Sequence, residues 1–420
     1  MNDASPPPNA PARSFAALRH PGYRAFFLTS AIAMMADSVE HVISYWMMFQ
    51  KFHSPALGGF AVLSHWLPFL FFSVYAGALA DRFDTRRLTQ LGMLMFIVAS
   101  LGWGILFLTD TLEVWNAMVL LVIHGFAGVL WAPAGQILIH DILGPAQLQS
   151  GIRLIAISRQ LGLLAGPAIG GVIMGVLGPA YGILFNALIY VPVIVWLQLT
   201  KYGARAPGLA APPRRGGLGD ILASMRLIAS DRVVVTMTLL AGAVSLFVSN
   251  AYQAQMPEFA EDLGGHDAHS YSMLFAADAL GALTAGLVLE GTGLLRARMF
   301  TVFVLVLLWC AAIAGFAMAP AYTVALGFLF VAGFLSLAFQ AMSQTLVQLN
   351  APAEIRGRVL GLYNMSSLGL RAFSGVTVGF AGSFIGIHWS LAASAIALGA
   401  VTLLLTQVAR RPVSAGFPVR

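Results

Sequence analysis

Long apolar stretches follow one another along almost the whole chain, with short polar links between them. Each stretch has about the 20 residues that a helix needs to cross the hydrocarbon core of a membrane. Hydrophobic residues make up 59% of the 420 residues and charged residues only 10%, whereas a soluble domain has about 25% charged residues. The sequence therefore predicts an all-α membrane protein with twelve spans, at 24–49, 57–80, 88–108, 113–139, 152–177, 180–200, 232–257, 269–290, 297–318, 321–347, 359–384 and 387–409.

The charged residues divide the links into two alternating sets. One set is rich in arginine, as after the second stretch, where Arg82, Arg86 and Arg87 lie close together. The other set is acidic, with Lys51 as its one basic residue. Because positively charged links stay on the cytoplasmic side, we expect both termini and the 77–88 link to be cytoplasmic. The basic residues are spread over many links, a pattern that suits lipid headgroups and argues against nucleic-acid binding.

A long polar link rich in proline and glycine divides the chain into two groups of six stretches. We predict a tail at 1–23, a helix bundle at 24–200, the link at 201–231, a second bundle at 232–409 and a tail at 410–420. The bundles echo each other, since Gly77 and Asp81 recur as Gly286 and Glu290 at the end of the matching stretch. Such repetition is typical of a duplicated six-helix unit.

The link at 77–88 reads Gly-Ala-Leu-Ala-Asp-Arg-Phe-Asp-Thr-Arg-Arg-Leu. It resembles the signature of the major facilitator superfamily between its second and third helices. The resemblance implies two pseudo-symmetric six-helix bundles in a monomeric transporter of the bacterial inner membrane, neither an enzyme nor a cofactor or metal protein. It also implies that Asp81 latches onto the opposite half in one conformation, within a conformational latch made of Gly77, Asp81, Arg82, Arg86 and Arg87. From its chemistry, Asp81 can accept hydrogen bonds from the exposed backbone donors of a helix start. The alternative is a solvated loop that only sets the topology.

Further motifs resemble the branch of drug:proton antiporters and the enterobactin exporter. These are Trp131 to Ala134, Arg356 to Tyr363 and a glycine-rich run in the fifth stretch. The resemblance implies that this run is a helix-5 gate, formed by Gly162, Gly166, Pro167, Gly170 and Gly171. The arginine expected in the fourth helix is absent, and His124 stands at the glutamine position of that motif.

Three ionisable residues share one helical face near the middle of the first stretch. They are Asp37, Glu40 and His41. An ionised side chain at that depth costs about 2.5 to 3.5 kcal/mol, so we interpret the face as the proton-coupling site. The alternative is that one acid pairs with a buried base and only holds helices together.

A substrate cavity is predicted from polar and aromatic residues on several spans, and small-molecule substrates and protons are the expected partners. The cavity candidates are Trp46, His124, Asn250, Gln253, Asp278, Gln340, Gln344 and Arg371. Hydrogen bonding between helices is the competing use of these residues, and Asp278 and Arg371 are as well suited to a structural ion pair. The histidines are widely separated in the sequence, so we expect no metal site.

These features predict a secondary active transporter that works by alternating access. The leading hypothesis is proton-coupled export of a lipophilic drug-like or siderophore-like molecule. The alternative is uptake or facilitated transport of an anionic metabolite, for which Arg159 and Arg371 are candidate ligands. A non-transporting membrane receptor is a more remote alternative.

Overall fold

The computed structural model describes residues 15–52, 55–203, 228–229, 231–249, 251–264 and 268–410, and these residues form an all-helical protein. We call residues 15–203 the first half and residues 228–410 the second half. The helices are α1 Pro21–Phe52, α2 Pro55–Arg82, α3 Thr85–Leu108, α4 Val114–Ile189, α5 Val191–Leu199, α6 Arg232–Phe247, α7 Ala251–Asp262, α8 Ala268–Thr292, α9 Met299–Ala317, α10 Tyr322–Asn350, α11 Arg356–Asn364, α12 Arg371–Ile385 and α13 Ile387–Arg410.

Two glycines interrupt the long helix α4. Gly144 has φ 64° and Gly178 has φ 76°, a left-handed backbone that glycine adopts without a steric penalty. The two breaks divide α4 into segments that correspond to the fourth, fifth and sixth predicted spans. The turn at Gly178 agrees with the sequence prediction, whereas the fifth span begins just after Gly144 rather than at residue 152.

Two spans of the second half are interrupted. The seventh is divided into α6 and α7 around Val248. The eleventh consists of α11, a π-helical turn at Met365–Gly369 and α12. Such π-helical turns are rare in proteins, and those that do occur are often found at functional sites. The π-helical turn packs against α2, so the irregular backbone lies where the two halves meet.

The exposed surface supports a membrane location. Within the described residues, nine helical segments are long and apolar enough to cross a membrane, and α6 is a shorter apolar helix. Large apolar side chains are widely exposed, for example Leu199 at 79% and Val176 at 77%. A surface of this kind suits lipid rather than water, and the prediction of an all-α, multi-span membrane protein is confirmed.

The chain before the first span is packed in part. Tyr23 is fully buried and its hydroxyl donates to the Gly151 carbonyl at 2.6 Å. The Ala17 N–H donates to the Ser150 hydroxyl at 3.1 Å. Helix α1 begins at Pro21, so the predicted tail at 1–23 is partly helical. Residues 1–14, 204–227 and 411–420 of the predicted tails and central link lie outside the described residues.

Helices α8 and α10 cross closely because each presents a glycine to the other. A Cβ on Gly281 would overlap the Phe330 carbonyl, and a Cβ on Gly333 would overlap the Asp278 carbonyl. Small residues at such crossings let backbones approach each other. Gly327, on the same helix as Gly333, has no atom within 4 Å of the equivalent point.

We predict that Gly333→Ala destabilises the protein by about 1–3 kcal/mol, because the added methyl group pushes α8 and α10 apart. The matched control is Gly327→Ala, which removes a helix-interior glycine and stabilises by up to about 1 kcal/mol. Thermal unfolding of the purified variants in detergent measures both effects. Equal unfolding temperatures for the two variants would contradict the proposed close crossing.

Candidate functional site

Glu40 is enclosed within the first half by hydrogen bonds from two other helices. Its carboxylate is 2.8 Å from Nδ1 of His124, and its other oxygen accepts from the Ser100 hydroxyl. Only 1% of Glu40 is exposed. The ring of His124 also approaches Asp37, with Nε2 3.0 Å from Oδ1. A buried carboxylate needs such partners, because an unpaired charge in an apolar interior is costly.

Three histidines that are distant in the sequence meet in space. The ring centroids of His41 and His124 are 4.6 Å apart, those of His41 and His65 are 5.0 Å apart and those of His65 and His124 are 5.6 Å apart. One ligand nitrogen from each lies within 4.8 Å of the other two. The wide separation in the sequence, on which the expectation of no metal site was based, therefore does not keep these histidines apart in the fold. We call Asp37, Glu40, His41, His65 and His124 the histidine cluster.

Sequence reasoning missed His65 and Ser100 as members of this site. The depth of the histidines in the membrane was a usable signal. His41, His65 and His124 each lie about 8 to 11 residues from the end of their predicted span that is opposite the arginine-rich links. Helices at equal depth within one bundle can bring such residues together. The pairing of Ser100 with Glu40 had no comparable signal, because a serine in an apolar helix is common.

A polar cavity lies between the two halves. The space between its lining residues and across its open mouth amounts to about 550 Å³. Two hydrogen bonds cross it from the first half to the second, from Arg159 Nη2 to Gln340 Oε1 at 2.8 Å and from Gln136 Nε2 to Asn364 Oδ1 at 3.1 Å. Two arginines, Arg159 and Arg371, are among the described residues that line it, and no Asp or Glu is.

Arg371 joins the cavity to the first half. Its guanidinium carbon lies 5.2 Å from the centre of the Trp66 ring, and its Nε donates to the Ser367 carbonyl at 3.2 Å. A guanidinium over an indole face is stabilised by the ring quadrupole. Trp66 in turn contacts His65, at 4.5 Å between ring centroids. The histidine cluster and the cavity are thus linked through one aromatic ring.

The predicted substrate residues fall into different places. Gln340, Gln344 and Arg371 line the cavity, whereas His124 belongs to the histidine cluster. Asp278 is buried and accepts from the Tyr252 hydroxyl at 3.1 Å. Trp46 is 48% exposed and is not among the lining residues. Asn250 and the side chain of Gln253 lie outside the described residues.

Asp81 connects the first half to the second. Its carboxylate accepts from the backbone N–H groups of Gly357 at 2.5 Å and Arg358 at 3.1 Å, in the first turn of α11. A helix start offers unpaired donors and a favourable dipole for an anion. Gly77 abuts the Gly357 backbone, which a side chain there would displace.

The other three predicted latch residues have a different environment. Arg87 donates to Gln198 at 2.9 Å, within the first half. Arg86 binds Asp84 at 2.7 Å. Burial alone would raise the pKa of the Asp84 carboxyl, but hydrogen bonds from Arg86 outweigh that effect and lower the pKa. Arg82 is partly buried at the end of α2. Arg86 also donates to the Thr200 carbonyl, so Arg86 and Arg87 hold the 77–88 link to its own half.

Glu290 stands at the position of the second half that matches Asp81, and it contacts the first half. It accepts from the Ser150 hydroxyl and lies 3.9 Å from Nη1 of Arg153, both in the first half. Arg153 also donates to the Leu289 carbonyl at 2.7 Å. Asp81 faces Arg358 at 3.8 Å in the same manner. The repeat therefore produces two carboxylate contacts that tie the halves together at the arginine-rich end.

The glycines of the predicted helix-5 gate face α1, within the same half. A Cβ on Gly166 would meet Ser38, and one on Gly170 would meet Val42 at 3.2 Å. Gly162 lies against Met34, while Gly171 has no atom within 4 Å of its equivalent point. The side chain of Pro167 lies outside the described residues. The contacts described for these glycines pack one helix of the first half on another.

Comparison with known proteins agrees with this architecture. A family model described as transmembrane secretion effector matches residues 12–416. The chain is 25% identical over 397 residues to the enterobactin exporter of Citrobacter koseri, covering 92% of this chain and 91% of that one. It is 24% identical over 366 residues to a multidrug efflux pump of Mycobacterium tuberculosis, covering 84% of each.

A solved structure shows the same fold. The fucose:proton symporter of E. coli superposes with a TM-score of 0.72 at 13% identity, over 95% of this chain and 100% of that one. The family that matches and the relatives that are similar to this chain are transporters and not enzymes. With an all-helical membrane architecture and a family match over nearly its whole length, the chain belongs to the transmembrane secretion effector family of the major facilitator superfamily.

Proposed function

We propose that the protein is a monomeric secondary exporter of the bacterial inner membrane that moves a small anionic, siderophore-like molecule by alternating access. The observation that carries this proposal is the cavity lined by Arg159 and Arg371 between halves that are joined at one end. Both arginines are half-buried, Arg159 beside Gln340 and Arg371 beside Trp66 and the Ser367 carbonyl. The positive charge that they give the cavity favours an anionic guest, since a guanidinium binds carboxylates well.

The orientation follows from the arginine-rich links. With the latch end in the cytoplasm, the contacts of Asp81 and Glu290 close the cytoplasmic side, and the cavity faces outward. The proposed cycle breaks these contacts, so that the cavity opens to the cytoplasm and receives its substrate. The two bundles, predicted at 24–200 and 232–409, would move as units about the cavity.

Relatives support export as the direction, because an enterobactin exporter and a multidrug efflux pump match the chain over most of its length. Uptake of an anionic metabolite would use the same cavity and is the second candidate. Proton coupling through Asp37, Glu40 and His41 stays a prediction of the sequence. The proposed direction and substrate class do not depend on that assignment.

Transport by inside-out membrane vesicles tests the proposal, because export from the cytoplasm appears there as accumulation in the lumen. Vesicles that contain the protein should accumulate enterobactin or a fluorescent aromatic carboxylate on energisation, and a protonophore should abolish the accumulation. Vesicles with the Arg159→Gln/Arg371→Gln variant are the control. If energised uptake occurred only in right-side-out vesicles, the result would instead support the second candidate, an importer.

The charge of the substrate is tested at Arg371. We predict that Arg371→Gln weakens binding of an aromatic carboxylate at least about tenfold, the loss of one charge-assisted hydrogen bond of about 1.5–3 kcal/mol. Binding of the neutral methyl ester should change much less. Arg296→Gln, in an exposed link, is the control. Ligand-dependent thermal stabilisation measures the affinities, and equal losses for acid and ester would contradict an anion site.

The latch is tested by the accessibility of the cavity. We predict that Asp81→Asn lowers the ratio of outward-open to inward-open protein about tenfold or more, because charge-assisted hydrogen bonds to Gly357 and Arg358 are weakened. The labelling rate of Ser249→Cys, a cavity position, in a Cys310→Ser background reports this ratio. Asp84→Asn, in the same link but paired within its own half, should leave the rate unchanged. Unchanged labelling of Asp81→Asn would show that Asp81 does not hold the closed end.

A further inference from the structure

We propose that the histidine cluster binds one divalent transition-metal ion of the zinc class, with His41, His65, His124 and Asp37 as its ligands. The ion would join α1, α2 and α4 inside the first half. This site is separate from the anion cavity, and its existence does not depend on the direction or substrate of transport.

The donor set selects the class of ion. Three imidazoles and one carboxylate form the mixed nitrogen and oxygen set that suits Zn²⁺, Co²⁺, Ni²⁺ or Fe²⁺. Mg²⁺ and Ca²⁺ take oxygen ligands, of which the cluster has too few. No thiol is near, since the one cysteine, Cys310, lies in α9 of the second half.

The geometry is near that of a four-coordinate site. Bonds of about 2.0–2.2 Å to a tetrahedral ion place ligand atoms roughly 3.3–3.5 Å apart. His124 Nε2 and Asp37 Oδ1 are 3.0 Å apart, and the three histidine nitrogens lie within 4.8 Å of one another. To surround one ion, the three nitrogens therefore have to approach one another by up to about 1.5 Å.

Two of the histidines already have a hydrogen bond at the ring nitrogen that would face away from the ion, as metal-binding histidines usually do. A metal-bound imidazole uses its second nitrogen to bond a carboxylate or a backbone carbonyl. Nδ1 of His124 bonds Glu40, which Ser100 holds in turn. Nδ1 of His41 lies 2.7 Å from the Asp37 carbonyl. In both rings this arrangement leaves Nε2 for the ion.

One ring nitrogen in the cluster, Nδ1 of His65, is buried without a hydrogen-bond partner. Nε2 of His124 lies 3.0 Å from Asp37 Oδ1 and is paired with that carboxylate. A buried polar atom left unsatisfied costs about 1–3 kcal/mol. A metal ion between His65, His124 and Asp37 would satisfy Nδ1 of His65 and would bind the other two side chains where they already meet.

The cluster is open to entry on one side. The side chains of Asp37 and His41 are 31% and 24% exposed, whereas Glu40 is almost fully enclosed. His65 contacts Trp66, which separates the cluster from the guanidinium of Arg371. An ion can therefore approach Asp37 and His41 first, with the aromatic ring between it and the cationic cavity.

Titration of the purified, tag-free, full-length protein with Co²⁺ after chelator treatment tests the site. We expect one Co²⁺ per chain, with the visible absorption of a tetrahedral Co²⁺ centre. Zn²⁺ should displace it and Mg²⁺ should not. His65→Gln and His124→Gln should each weaken binding at least about tenfold, and Glu40→Gln, which removes a positioning hydrogen bond, by about 10–100-fold.

The matched control is His388→Gln. His388 belongs to another histidine–carboxylate pair, with Nε2 3.1 Å from Asp262, far from the cluster in the sequence. It should bind Co²⁺ like the unmodified protein. Thermal unfolding verifies that each variant is folded. Of the histidine variants, His65→Gln should disturb the fold least, because no hydrogen bond is described for the His65 side chain.

Absence of the Co²⁺ absorption in the unmodified protein would overturn the proposal. Absorption that persists in folded His65→Gln and His124→Gln variants would do the same, because the ion would then lie elsewhere. Since this measurement involves no transport, its failure and a failure of export in vesicles are distinguishable.

Discussion

The closed end of the molecule depends on two carboxylates that reach across from opposite halves. Asp81 binds the start of α11, and Glu290 lies against Ser150 and Arg153 in α4. Charge-assisted hydrogen bonds contribute about 1.5–3 kcal/mol each. That is enough to favour one state of the interface, and small enough for binding of a substrate to reverse it. Gly77 and Gly357 make these bonds possible, since their backbones touch.

The remaining polar groups are divided between two environments. The histidine cluster is enclosed within the first half, where Glu40 receives bonds from His124 and Ser100. The arginine cavity lies between the halves, where a conformational change can open it. This separation has a physical reason, because groups within one bundle keep their partners when the bundles move, whereas groups between bundles exchange theirs. Trp66 is the described contact that links the two regions.

Several features were predictable because they depend on local composition. Membrane-length apolar runs predicted all twelve spans, and the turn at Gly178 lies where Gly178-Pro179 indicated it. The start of the fifth span was misplaced, because an apolar run alone does not define where a span begins, although Gly144-Pro145 carries the same local signal as Gly178-Pro179. The helix-5 glycines show a similar limit. Their spacing indicated a close approach, but only the structure identified α1 as the helix that they contact.

The sequence by itself determined the class of protein, because the lipid environment imposes apolar runs. It also indicated Asp81 and Glu290 as residues at matching positions of the two groups of six stretches. Only the tertiary structure decided which side chains meet. His41, His65 and His124 lie on three helices, and their separation along the chain carries no information about distance in space. Packing at equal depth within one bundle brings their rings within 6 Å of one another, and this converts three isolated histidines into a single candidate metal site.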